Sequence, residues 1–143
     1  MADGIVARAS IEIDAPADKV WNALVDPDLV GQYMFGATVT TDWRTGSPIT
    51  WSGEWKGKPF EDKGFVLRVE PLRLLEYNHY SPLSGLPDRS EHYHVVTIEL
   101  TPLDAGTRVD LMQQNIASHE VREHSEANWE QMLGGLKKVV EKT

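Results

Sequence analysis

The sequence predicts an α+β fold, a curved antiparallel sheet of about six to seven strands wrapped around one long C-terminal helix, with two short helices after the first strand. Three observations predict it. Between Thr38 and Gln114, runs of alternating apolar and polar residues are separated by short turns rich in Gly and Pro, the pattern of consecutive antiparallel strands. Only Ser118 to Lys142 is long enough to cover such a sheet, and a sheet with one buried face needs a cover. Short turns between the strands leave no room for parallel crossovers.

The elements follow in order. From Ile5 to Asp14, the residues Ala7, Ala9, Ile11 and Ile13 alternate with Arg8, Ser10, Glu12 and Asp14, which predicts a half-buried strand. Ala15-Pro16 stops it, and Val20, Trp21 and Leu24 mark a short amphipathic helix. Asp26-Pro27 breaks that helix, and Leu29 to Met34 forms a second. Strands are expected at Val39–Trp43, Ile49–Trp55, Lys63–Glu70, Leu74–Tyr80, Glu91–Thr101 and Gly106–Gln114. Phe65, Leu67 and Val69 share the inner face of the third of these, and Leu75, Tyr77 and His79 that of the fourth. His92, His94, Val96, Ile98 and Leu100 face inward on the fifth, and Thr107, Val109, Leu111 and Gln113 on the last. Ser81 to Ser90, with two Pro and a Gly, reads as a surface loop.

The final segment reads as one helix. Ser118 suits the N-cap, Glu120 and Glu123 the positive end of the macrodipole, and Lys137, Lys138 and Lys142 the negative end. Trp129, Met132, Leu133, Leu136 and Val140 make an apolar stripe that continues backward as Ser125 and Arg122. Gly134-Gly135 interrupts the helix off that stripe, through either a close neighbour or a tolerated weakness.

Composition bounds the function. A chain of 143 residues fits one domain spanning 1–143 with a single core. The net charge of −8 and the lack of Lys/Arg patches argue against nucleic-acid binding. Without cysteine there is no disulfide, thiolate nucleophile or cysteine metal site. Met1 to Ser10 lacks the pattern of a signal peptide, and no stretch approaches the ~18 apolar residues of a membrane span. The expectation is a cytoplasmic protein with no membrane and no nucleic-acid partner.

The candidate site is a polar set on the concave face. If Tyr80 faces Glu91 and Thr101 faces Gly106, then His79 lies opposite His92, and His94 opposite both Tyr77 and Gln113. Arg122 and Ser125 would approach the same end. Trp51, Trp55, Phe65, Leu67, Leu111, Trp129, Met132 and Leu133 would supply apolar wall. Three readings stay open. The preferred one is a pocket that orients an amphipathic ligand. The second is a wet cavity mouth whose imidazoles satisfy one another. The third is a metal or acid–base site, since His-x-His beside a third His can hold zinc, with Glu126 as a contributor. Neither a metal nor a cofactor is expected. Glu54, Glu61 and Asp62 read as surface, and His119 and His124 as solvated.

Four passages carry a family resemblance. They are Ala15-Pro16 with Val20-Trp21, Ala23-Leu24 and Asp26-Pro27; Gly64-Phe65-Val66 through Val69-Glu70-Pro71 to Leu74-Leu75-Glu76-Tyr77; Val96 to Pro102 with Gly106-Thr107; and Asn128-Trp129 with Leu133 and Leu136. In these the chain resembles the START-like helix-grip superfamily, in the branch similar to the C-terminal domain of the activator of Hsp90 ATPase and to calicheamicin-resistance-type proteins. It departs at Asn128, where members often carry Gly, and at Tyr33, where many carry Trp. The resemblance implies a hydrophobic ligand cavity rather than one shared reaction. The expected function is binding of a small hydrophobic or amphipathic molecule, with no catalytic residue assigned. The alternatives are an Hsp90-type cochaperone, disfavoured because the chain carries no further chaperone-binding module, and a cyclase- or hydrolase-type enzyme. A homodimer stays open.

Overall fold

The computed structural model describes residues 5–34, 36–55, 57–81, 87–116 and 118–142. Strand β1 (Ile5–Ile13) leads into helices α1 (Ala17–Val25) and α2 (Pro27–Tyr33). Strands β2 (Thr38–Thr40), β3 (Pro48–Trp55), β4 (Lys58–Glu70), β5 (Leu74–His79), β6 (His94–Leu103) and β7 (Gly106–Ile116) follow, and α3 (His119–Glu141) ends the chain. All seven strands form one antiparallel sheet in the order β1-β7-β6-β5-β4-β3-β2. The expected α+β architecture, with α3 packed on the sheet, is therefore the observed one.

The alternation in β1 is as expected: Ala7 and Ile13 are buried, while Arg8, Ser10 and Glu12 are exposed. Ser118 caps α3 by accepting from the Val121 amide at 3.2 Å. Met132, Leu133, Leu136 and Val140 face the core as one stripe. The helix also finishes the sheet edge. Glu126 accepts from the Arg8 amide at 3.0 Å, Glu141 accepts from the Asp14 amide at 2.7 Å, and Lys137 donates to the Glu12 carbonyl at 3.0 Å. Backbone groups of β1 that would otherwise lack a partner are thus satisfied by side chains, which also blunts an exposed edge. At the end of α1, the Tyr33 hydroxyl donates to the Ala23 carbonyl at 2.7 Å and the Trp43 indole to the Val25 carbonyl at 2.8 Å, closing carbonyls that a helix terminus leaves open.

The two mid-helix glycines separate. A Cβ on Gly135 would lie 3.1 Å from the Tyr33 Cβ, so α2 sits tightly against it, whereas one on Gly134 would meet nothing within 4 Å among the described residues. Close approach explains Gly135. Nothing among the described residues requires Gly134. Gly134→Ala is expected to raise stability by up to about 1 kcal/mol through helix propensity. Gly135→Ala should gain less or lose, because Tyr33 is buried and tied to Ala23. Parallel urea denaturation of the two variants checks the contrast.

Three strand expectations need correction. First, β2 ends at Thr40, and Trp43 takes a positive φ of 57° instead of extending the strand. Second, β6 and β7 pair Leu103 with Gly106, not Thr101 with Gly106. A two-residue turn at Asp104-Ala105 does what a longer turn was expected to do, since Pro102 stays within the strand near its end. Third, β5 and β6 pair His79 with His94 and Tyr77 with Val96. Both registers differ from expectation by two residues. An even shift preserves the inward face but moves each side chain one step along the groove.

Candidate functional site

A cavity of about 210 Å³ lies between the concave face of the sheet and α3. Its wall includes Trp51 of β3, Phe60 and Asp62 of β4, Tyr77 and His79 of β5, Val96 of β6, Gln113 of β7 and Trp129 of α3. Met34, Ala37 and Glu54 complete it. A void of about 20 Å³, bordered by Met132, Tyr33 and Leu75, adjoins it and shares Met34, Trp51 and Tyr77.

β4 decides the chemistry at this wall. Its inner face follows Phe60, Asp62, Gly64 and Val66, not Phe65 and Leu67. Between Val66 and Arg68 the pairing with β5 slips by one residue, the signature of a β-bulge. Beyond it the phase switches, so Val69 packs against the core as expected. Phe65, 47% exposed, lies on the outer face, and Leu67 sits at the bulge, partly buried. Both leave the expected wall. Asp62, expected at the surface, enters it.

There Asp62 meets His79. The His79 Nε2–H donates to Asp62 Oδ2 at 2.8 Å, and both side chains are largely buried. The other carboxylate oxygen, Oδ1, is buried without a hydrogen-bond partner among the described residues. Trp51 packs edge-on against the His79 ring at 5.1 Å and tilts against Tyr77 at 5.1 Å. The imidazole is thus held by a carboxylate on one side and an indole on the other. Across the cavity the Trp129 indole donates to Gln113 Oε1 at 2.7 Å. That bond fixes the amide, so its NH₂ is the end left to donate. Burial raises the Tyr77 hydroxyl well above the usual phenol range, keeping it a neutral donor.

The other expected residues fall elsewhere. His92 lies outside the sheet, in a single 3-10 turn (Ser90–His92), with Nδ1 on the Pro87 carbonyl at 2.8 Å. Asn115, at a positive φ of 67°, helps place this turn by donating to the carbonyls of Glu91 and Tyr93 at 2.8 and 3.0 Å. Leu111 and Leu133 are core residues. Arg122 and Ser125 are half-buried on α3 but do not line the cavity. The two-residue register shifts bring the Gln113 level to Val96 and Trp129, one turn or more further along the helix. The Arg122 Nε is buried without a partner among the described residues. The Trp55 side chain lies outside the described residues. His119 and His124 are exposed, as expected. No cluster of three metal-ligating side chains occurs among the described residues, and the expected trio of histidines is broken up by the departure of His92.

His94 faces His79 across the β5–β6 pair. Burial holds its imidazole below the usual range and the nearby His79 acts the same way, while the Gln114 carbonyl, 3.3 Å from Nδ1, opposes them. The unfolded chain then binds the proton more readily than the folded one. Stability is therefore expected to fall as pH drops below the unfolded value of ~6.5, until the lower folded value is passed. Denaturation at pH 7.5 and 5.5 measures the slope, and His94→Gln should flatten it.

A wider depression on the outer face, about 560 Å³, is bordered by Arg8, Glu99, Arg108 and Asp110. Its charges are exposed, and Arg108 pairs with Asp110 at 3.1 Å, so it has the character of ordinary solvated surface.

Comparison with known proteins places this geometry in context. The sequence profile of the family described as Activator of Hsp90 ATPase homolog 1-like protein matches residues 14–141. No curated protein matches the sequence. Among solved structures, ChR145 from Cytophaga hutchinsonii is 50% identical, with 99% of this chain and 97% of that one covered and a TM-score of 0.86. CalU16 from Micromonospora echinospora is 22% identical, with 95% of this chain and 83% of that one covered and a TM-score of 0.71. Aha1 from Colwellia psychrerythraea, solved as a dimer, is 18% identical, with 96% of each chain covered and a TM-score of 0.75. The last two likenesses concern the fold.

Proposed function

We propose, for a chain that belongs to the Activator of Hsp90 ATPase homolog 1-like family, that it binds a small amphipathic molecule in the cavity between its sheet and α3. One observation carries the reading. The cavity joins an apolar and aromatic wall to a few convergent polar groups, Asp62, His79, Tyr77 and Gln113, the composition of a small-molecule site. Its volume of about 210 Å³ falls below the roughly 300–1,000 Å³ of ordinary ligand pockets, so the ligand is small, of one or two rings. Among the described residues no helix is long and apolar enough to cross a membrane, and we place the protein in the cytoplasm.

The test uses a probe with one ring and one hydroxyl, 4-phenylbutan-1-ol. Trp51 and Trp129 line the cavity, so binding should alter tryptophan fluorescence in a saturable way. Ala37→Leu, which fills the same space, should weaken binding at least tenfold. Equal binding by the two proteins would move the site elsewhere on the surface and defeat the reading.

The Asp62–His79 pair favours a second reading, acid–base chemistry on the bound molecule, because a carboxylate that orients an imidazole is a recurrent general-base arrangement. Here His79→Gln would abolish turnover while leaving binding largely intact. A chaperone role is the remaining alternative. Stimulation of an Hsp90 ATPase by the chain, unaffected by Ala37→Leu, would support that role against the ligand reading.

A further inference from the structure

We infer that the cavity selects a small organic cation, an amine or quaternary ammonium group carried on an apolar body. This rests on the ligand-binding reading above and names the charge of the ligand. Three observations converge on it.

Among the described residues the wall holds four aromatic side chains, Trp51, Phe60, Tyr77 and Trp129, and two carboxylates, Asp62 and Glu54, but neither Lys nor Arg. Aromatic faces attract cations through their quadrupole, most strongly where water is excluded. Trp51 and Tyr77 meet at 47° with centroids 5.1 Å apart, so they form two panels of a corner rather than a parallel stack. The second observation is the state of Asp62. One carboxylate oxygen is engaged by His79, and the other is buried with no partner among the described residues. A buried carboxylate oxygen without a donor is costly, and a positive charge in the adjoining space offsets that cost.

The third observation concerns the opposite choice. An anionic ligand would need a cation at the polar end, and the sequence suggested Arg122 for that place. Arg122 does not line the cavity. An anion would instead meet the carboxylates of Asp62 and Glu54, with His79 already turned to Asp62. The chain's net charge of −8 adds a general attraction for cations.

Isothermal titration of the full chain with three probes at low salt tests the inference. The probes are benzyltrimethylammonium, its uncharged isostere neopentylbenzene, and 3-phenylpropionate. The cation is expected to bind at least tenfold tighter than the isostere, and the anion more weakly than the isostere. Asp62→Asn, which keeps the shape beside His79, should lower the cation-to-isostere ratio severalfold, the aromatic wall keeping a residual preference for the cation. If that variant fails to fold, the wild-type ranking of the three probes still decides. An isostere or anion that binds as tightly as the cation overturns the charge inference and leaves the ligand-binding reading standing. Absence of saturable binding by all three overturns both.

Discussion

Gly64→Ala is expected to cost about 3 kcal/mol or more, or to prevent folding altogether. A Cβ at Gly64 would lie 1.8 Å from the Asn78 carbonyl oxygen and 2.7 Å from its carbon. Both are backbone atoms of the neighbouring strand β5, so no rotamer change can relieve the clash. The strands must part, and overpacking of this kind costs roughly 1–3 kcal/mol even where side chains give way. The Asn78 side chain also accepts from the Phe65 amide at 2.6 Å, a bond that separation would break. Thermal unfolding should show a fall of roughly 10 °C, at about 2–4 °C per kcal/mol for a domain of this size. The position matters for the cavity too. Gly64 lies between Asp62 and Val66, and the close approach it permits holds β4 in the phase that turns Asp62 inward. Any Gly64→Ala protein that does fold should have lost the Asp62–His79 contact.

Leu136→Ala is expected to cost about 2–5 kcal/mol with no direct change at the cavity. Leu136 is fully buried in the C-terminal third of α3, and its side chain belongs to the hydrophobic core. Truncation removes the burial of several carbons and leaves a void that the surrounding Ile, Val and Leu cannot fully close. It does not line the cavity, whereas Trp129, two turns earlier, does. Urea denaturation should show a lower midpoint with an unchanged slope. Binding of 4-phenylbutan-1-ol, measured well below that midpoint, should stay within a factor of about two.

The pair of variants illustrates what was legible in the sequence. The core stripe of α3 and its Ser118 cap follow from spacing alone, as does the alternation in β1, because each reflects one periodic pattern on one element. The order of elements and the antiparallel sheet follow from short turns between alternating runs. What failed to be legible was phase. In β4 the run Phe65, Leu67, Val69 reads as one apolar face. A bulge after Val66 means that only its last member is inside. A bulge adds one residue without changing composition, so periodicity cannot detect it. Gly64 was the available signal, since glycine inside a strand pattern often marks a bulge or a close backbone approach.

Register was the second gap. Alternation fixes which face a residue takes but not its partner, and a two-residue slip leaves every face unchanged. The candidate site absorbed both errors. His92 and Arg122 were placed at the polar end by registers that differ from the observed ones, and Asp62 was left outside by the wrong phase of β4. Trp51, Tyr77, His79, Gln113 and Trp129 reached the wall because their inward face was legible.

The central claim is that a small amphipathic molecule occupies the space between the sheet and α3. A nuclear magnetic resonance titration of the isotope-labelled chain with 4-phenylbutan-1-ol tests it most directly. The account predicts saturable shifts of the Trp129 indole N–H and of the His79 ring, with the Arg122 side chain and the exposed His92 turn unmoved. Shifts centred on Arg122 or His92, or an indole of Trp129 that does not respond at saturating probe, would contradict it.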